Sequence, residues 1–168
     1  MNKTLLTSTV LALAIALAVA GCGGDDNGGG DYGSKGDSDE SSSPKPASSP
    51  SAVVSVASVP GLGKVIVDAR GFTLYDFHKD KGTKSTCYGG CAKVWPPLTT
   101  SGTPKAESGA QASKLATTKR DDGTTQVTYA GHPLYTYTAD TKPSQTKGND
   151  IDSFGAEWYA LQPNGEEP

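Results

Sequence analysis

Short runs of alternating apolar and polar residues, separated by turn residues, set the expected elements. "KVIVDARGFTLYDF", Lys64 to Phe77, reads as one β-rich run, a turn at Asp68-Ala69-Arg70-Gly71 and a second run. In that second run Phe72 and Leu74 share one face and Tyr75 and Phe77 the other. "KLATTKRDDGTTQVTYAGHPLYTYTAD", Lys114 to Asp140, continues the pattern, with Asp122-Gly123 and Ala130-Gly131 as turns between three strands of a meander. Past the N-terminal apolar segment no stretch has a helical period. The pattern predicts a small all-β domain.

Two decapeptides in this domain match. "GFTLYDFHKD" at Gly71–Asp80 and "GHPLYTYTAD" at Gly131–Asp140 share Gly71/Gly131, Leu74/Leu134, Tyr75/Tyr135, Phe77/Tyr137 and Asp80/Asp140. A β-rich run precedes each, and a tryptophan follows: Trp95 in "GGCAKVWPPL" and Trp158 in "FGAEWYAL". The domain, about residues 56–165, is therefore an internal duplication of two antiparallel β units, at about 62–98 and 124–162. Two readings of the repeated residues stand. In one, Tyr75, Phe77, Trp95, Tyr135, Tyr137 and Trp158 form a pseudo-symmetric core, and Asp80 and Asp140 accept backbone N–H bonds at strand ends. In the other, the same rings line a cleft that stacks on a planar ligand or a sugar, with Asp80 and Asp140 accepting its hydroxyls.

The motif Tyr75-Asp76-Phe77-His78-Lys79-Asp80, and again Tyr135-Thr136-Tyr137-Thr138-Ala139-Asp140, resembles the Y-x-[FWY]-x-x-D signature of predicted bacterial lipoproteins described as a secreted repeat of unknown function. "STCYGGCAKVWPPL" is similar to the segment that follows the first copy in that group. The resemblance spans roughly Leu62 to Gly165. It implies a secreted or envelope setting and no particular activity.

The N-terminus agrees with that setting. Met1 and Lys3 precede an apolar run from Leu5 to Ala20, shorter than the roughly 20 residues a membrane span needs, so residues 1–21 read as a signal peptide. Val19-Ala20-Gly21-Cys22 resembles a lipobox. That resemblance implies acylation of Cys22 and a mature protein held to the outer face of the cell membrane through its lipid. Residues 22–55 are rich in Gly, Ser, Asp and Pro, and read as a disordered tether with a reach of about 30 Å. The chain's net charge of −3 comes from this tether, about −4 with six acidic residues against Lys35 and Lys45, offset by Lys3 of the signal peptide. The neutral domain gives no electrostatic reason to expect nucleic acid. The expected partners are the bilayer, and an envelope protein or small ligand bound by a monomer.

Cys87 and Cys91 in "CYGGC" are expected to pair outside the cytoplasm, with Gly89-Gly90 giving the backbone freedom for so short a ring. The bond contributes about 2 kcal/mol by loop entropy, enough to pin a turn. The alternative is a redox or copper-handling lipoprotein using Cys87, Cys91 and His78. That set is short of ligands, because His132 is remote and Met1 leaves with the signal peptide. Neither a metal nor a cofactor is expected, and His78 and His132 read as ordinary strand residues. Asn149, Asp150 and Asp152 read as a solvated turn, since their spacing does not meet the EF-hand pattern. No nucleophile elbow, H-E-x-x-H, P-loop or dinucleotide fingerprint is present, so no catalytic residue is expected.

Overall fold

The computed structural model describes residues 51–168. The signal peptide, Cys22 and all but the last residues of the tether lie outside the described residues. Nine strands form three three-stranded sheets. β1 (Val53–Val59) and β2 (Gly63–Asp68) make a hairpin, with β4 (Lys105–Ala106) on the free edge of β1. β3 (Tyr75–Phe77) pairs with β9 (Ala156–Ala160), which pairs with β8 (Ile151–Ser153). β5 (Leu115–Lys119), β6 (Thr125–Tyr129) and β7 (His132–Pro133) form the meander expected from the sequence.

The domain is all-β, with two departures from the expected layout. β1 begins at Val53, inside the stretch assigned to the tether, because Val54 and Val59 are apolar anchors buried against the β2 hairpin partner. The β1–β4 pair is parallel, although only two residues long, whereas the other ladders between named strands are antiparallel. A five-residue helix, α1 (Gly90–Val94), also interrupts the strands.

The turns form for reasons visible in the chain. Asp68 Oδ1 accepts the N–H groups of Arg70 (2.9 Å) and Phe72 (3.0 Å), folding the chain back after β2. Asp122 Oδ1 likewise accepts Thr124 N–H at 3.0 Å, and Gly123 supplies the positive φ of 84° that the β5–β6 turn requires. Ala130 and Gly131 both have positive φ, 51° and 91°, as a two-residue turn between β6 and β7 demands.

Alternation along the repeated segments sorts side chains into two cores. Tyr75, Phe77, Tyr135, Trp95 and Trp158 belong to one. Leu74 and Leu134 point the other way and pack with Ile66, Val127, Tyr129 and Leu161. The two copies meet at their equivalent tyrosines: Tyr75 N–H donates to Tyr135 O at 2.9 Å, and Tyr135 N–H to Tyr75 O at 3.0 Å. Around this point the bonds are reciprocal. Leu161 N–H reaches Leu74 O (3.2 Å) as Leu98 N–H reaches Leu134 O (2.8 Å), and Ile66 N–H reaches Leu161 O as Val127 N–H reaches Leu98 O, both at 2.8 Å. The two halves are thus interlocked about a pseudo-two-fold axis, each completing the other's ladder.

Candidate functional site

The repeated aromatic residues are consumed by this interlock. Tyr75, Trp95, Tyr135 and Trp158 are fully buried and Phe77 nearly so, with only Tyr137 half-buried. Four rings form one continuous stack in the order Phe77, Trp158, Trp95, Tyr137, with centroids 4.0, 4.0 and 4.1 Å apart. Each outer ring therefore lies on the tryptophan of the other repeat. Tyr75 meets Trp95 edge-on at 5.5 Å, and Tyr135 meets Trp158 in the same way at 5.1 Å. Gly148 runs so close that a Cβ there would lie 2.8 Å from Trp95 and 2.9 Å from Tyr75. The reading in which these rings line an open cleft is corrected accordingly, since the faces that would stack on a ligand stack on the sister repeat.

The two motif carboxylates are occupied in the same crossed fashion. Tyr75 Oη donates to Asp140 Oδ2 at 2.5 Å, and Tyr135 Oη donates to Asp80 Oδ2 at 2.6 Å. The other oxygen of each carboxylate accepts a backbone N–H farther along its own repeat, Thr86 for Asp80 (2.7 Å) and Lys147 for Asp140 (3.0 Å). Burial pushes both carboxyls above the usual Asp range and both phenols above the usual Tyr range. Both oxygens of each carboxylate are thus engaged within the protein. The spacing Y-x-[FY]-x-x-D is the spacing of this crossed clasp: strand tyrosine, stacking ring, and a strand-end aspartate for the partner's hydroxyl.

Cys87 and Cys91 form a disulfide, with Cα atoms 5.2 Å apart across the start of α1. Their sulfurs are committed to each other, so the set of Cys87, Cys91 and His78 is not assembled as a metal site. The loop they close is held from beneath by Arg120, whose side chain is 1 % exposed. Its guanidinium donates to Ser85 Oγ (2.6 Å), Gln126 Oε1 (2.7 Å) and the Cys87 carbonyl (2.7 Å), and lies 4.4 Å from the Tyr88 ring centre. Ser85 Oγ in turn is 2.7 Å from Tyr135 Oη, joining this network to the clasp. Of the residues expected in a solvated turn, Asn149 instead accepts Ala160 N–H, Asp150 accepts the Tyr159 hydroxyl, and Asp152 lies in β8.

Among the described residues two buried polar side chains stand outside all of this bonding, Asp76 and Thr128. Asp76, the residue after the first motif tyrosine, is 1 % exposed, and neither of its carboxylate oxygens has a hydrogen-bond partner. A buried charged acceptor left in that state costs on the order of 1–3 kcal/mol or more. His132 Nδ1 is 3.1 Å from Asp76 Oδ2, but is not aligned as a donor to it. His78, just past the end of β3, contacts Glu167 through Nε2 and lies 3.4 Å from Glu157 through Nδ1. The carboxylate contacts raise both imidazoles above the usual His value, Glu167 leading for His78 and Asp76 for His132. Asp76, His78 and His132 border a pocket of about 380 Å³. A larger groove of about 770 Å³ runs along β5, but Ser, Thr, Gly, Ala, Pro and Leu line it without an ionisable group. Its size alone points to no chemistry.

Residues 57–99 and 116–162, each holding one copy of the motif and its tryptophan, match the family described as a secreted repeat of unknown function. The chain belongs to this family. No curated protein and no solved structure matches it.

Comparing the two copies of the secreted repeat isolates what is not needed for the fold. At the positions of Asp76 and His78 the second copy has Thr136 and Thr138, whose hydroxyls donate to the carbonyls of Pro96 (3.4 Å) and Val94 (3.0 Å). At the positions of His132 and Glu157 the first copy has Phe72 and Val94. The pseudo-symmetric counterpart of the acid and histidine cluster is therefore neutral and internally satisfied. In the sequence His78 and His132 have the look of ordinary strand residues, His78 otherwise belonging with Cys87 and Cys91, and nothing local singles out Asp76, Glu157 or Glu167. The signal was the break in symmetry: conserving the motif while placing Asp, His, His and Glu on one side only.

Proposed function

We propose that this secreted repeat is a lipid-anchored protein of the outer face of the cell membrane, held through Cys22, whose β domain is a non-catalytic binding module. The binding site is the pocket around Asp76, in place of the aromatic rings. Membership in a secreted family supports a position in the envelope or outside the cell. Among the described residues no helix is long and apolar enough to cross a membrane, so attachment in this reading falls to the lipid. Engagement of both oxygens of Asp80 and of Asp140 within the clasp supports a binding role over a hydrolytic one.

The observation that carries the reading is Asp76. A fold that ties Asp80 and Asp140 through both oxygens keeps Asp76 buried with no aligned hydrogen bond, only His132 Nδ1 at 3.1 Å, and that opening is what a ligand would fill. Two outcomes are expected. Cys22→Ser shifts the protein from the membrane fraction to the soluble fraction in fractionated cells; retention on the membrane counts against the anchor. Asp76→Asn raises the melting temperature of the ligand-free protein at a pH above the raised His132 value, where the imidazole 3.1 Å from Asp76 Oδ2 carries no charge, because it replaces a buried carboxylate that accepts no aligned hydrogen bond with a neutral amide. A lowered melting temperature would show the carboxylate to be structural and end the pocket reading.

A further inference from the structure

We infer that the Asp76 pocket binds a divalent first-row transition ion through Asp76, His78, His132 and Glu167. This rests on the reading of that pocket as the binding site and names what it takes. The ligand atoms of Asp76, His78 and Glu167 all lie within 4.8 Å of one another. His132 Nδ1, 3.1 Å from Asp76 Oδ2, adds a fourth donor. Bonds of about 2.0–2.1 Å in a tetrahedral site place neighbouring ligand atoms about 3.3 Å apart. Asp76 Oδ2 and His132 Nδ1, 3.1 Å apart with no aligned hydrogen bond between them, have the spacing of two ligands of one ion once the imidazole nitrogen is unprotonated. His78 and Glu167 are each about a third exposed, so both can turn inward to close the remaining distance.

The donor set selects the ion. Two imidazoles with two carboxylates suit Zn²⁺, Ni²⁺ or Cu²⁺. Ca²⁺ demands six to eight oxygens, more than this cluster supplies. Cu⁺ favours sulfur, and the thiols of Cys87 and Cys91 are joined in the disulfide. Glu157, 3.4 Å from His78 Nδ1, is placed as the outer carboxylate that orients a metal-bound imidazole through its other nitrogen. The charge is also suited, since the buried Asp76 and the exposed Glu157 and Glu167 gather three carboxylates that a dication neutralises. At the mirror position Thr136, Thr138, Phe72 and Val94 offer no such set.

The test is titration of the full mature chain in detergent, stripped with chelator, with Zn²⁺, Ni²⁺ and Cu²⁺, and with Ca²⁺ as a control. Calorimetry and native mass read the outcome. The expected result is a single transition ion per chain and a melting temperature that rises with its concentration. Asp76→Asn, His78→Thr and His132→Phe should each weaken binding at least tenfold, whereas Thr138→Ala in the mirror copy leaves it unchanged. Binding that none of the three pocket variants weakens would place the ion elsewhere and overturn the inference. If no transition ion binds but Asp76→Asn still stabilises the protein, the metal is overturned while the pocket remains a site for another ligand. If no ion binds and Asp76→Asn destabilises, the metal and the pocket reading fall together.

Discussion

Arg120→Ala is expected to lower the unfolding free energy by about 3–5 kcal/mol, close to the whole stability of a small domain. The substitution removes one guanidinium and strands two buried acceptors, Gln126 Oε1 and the Cys87 carbonyl, besides breaking the contact with Ser85 that supports the Tyr135 hydroxyl. Each stranded acceptor costs about 1–3 kcal/mol, and the ring contact with Tyr88 is lost as well. Arg120→Lys should recover part of this only, because an ammonium cannot reproduce the fork that reaches three acceptors. Asp122→Ala is the control. It removes the exposed partner 3.2 Å from Arg120 Nε together with the turn bond from Thr124 N–H, and should cost about 1–2 kcal/mol. Urea melts of the three variants with the disulfide intact decide the matter. An Arg120→Ala cost no larger than that of Asp122→Ala would show that the network contributes nothing to the loop.

Arg120 also marks a limit of what the chain discloses. In "TKRDDGTT" it reads as a solvated turn residue beside an Asp-Gly signal, and nothing local tells that a loop thirty residues earlier will cover it. The turns themselves were legible, since Asp68, Asp122-Gly123 and Ala130-Gly131 act through their own backbones. The duplication was legible too, as was the opposition of Leu74 to Tyr75. What alternation could not tell was the partner. A period of two states which residues share a face, and leaves open whether that face meets its own repeat, the other repeat or solvent. That is why the aromatic residues supported both a core and a cleft. The crossed clasp resolves the choice, because each tyrosine reaches the aspartate of the opposite copy. α1 escaped notice for a simpler reason: five residues opening on glycine are too few to show a helical period. The Asp76 cluster draws on β3, β7, β9 and Glu167, and only the asymmetry between the copies foreshadowed it.

The interlock makes its strongest demand at the two tryptophans. Trp95 and Trp158 lie face to face, 4.0 Å apart and 3° from parallel, and both indole N–H groups end on Ser153, Trp95 on its hydroxyl (3.1 Å) and Trp158 on its carbonyl (3.0 Å). Trp158→Ala should cost about 3–5 kcal/mol, and Trp95→Ala a similar amount. The consequence specific to this fold is where the damage falls. Trp158 belongs to the second repeat but stacks on Phe77 of the first, while Trp95 of the first stacks on Tyr137 of the second. Loss of either ring therefore removes packing from both halves at once. Each variant should unfold in one cooperative urea transition, at a lower midpoint, when followed by aromatic and by far-ultraviolet circular dichroism. The double variant should cost less than the sum of the two, because the first substitution has already broken the stack that the second would break. Two separate transitions in Trp158→Ala, with the first repeat surviving the second, would mean that the halves are neighbouring units and not a single interlocked core.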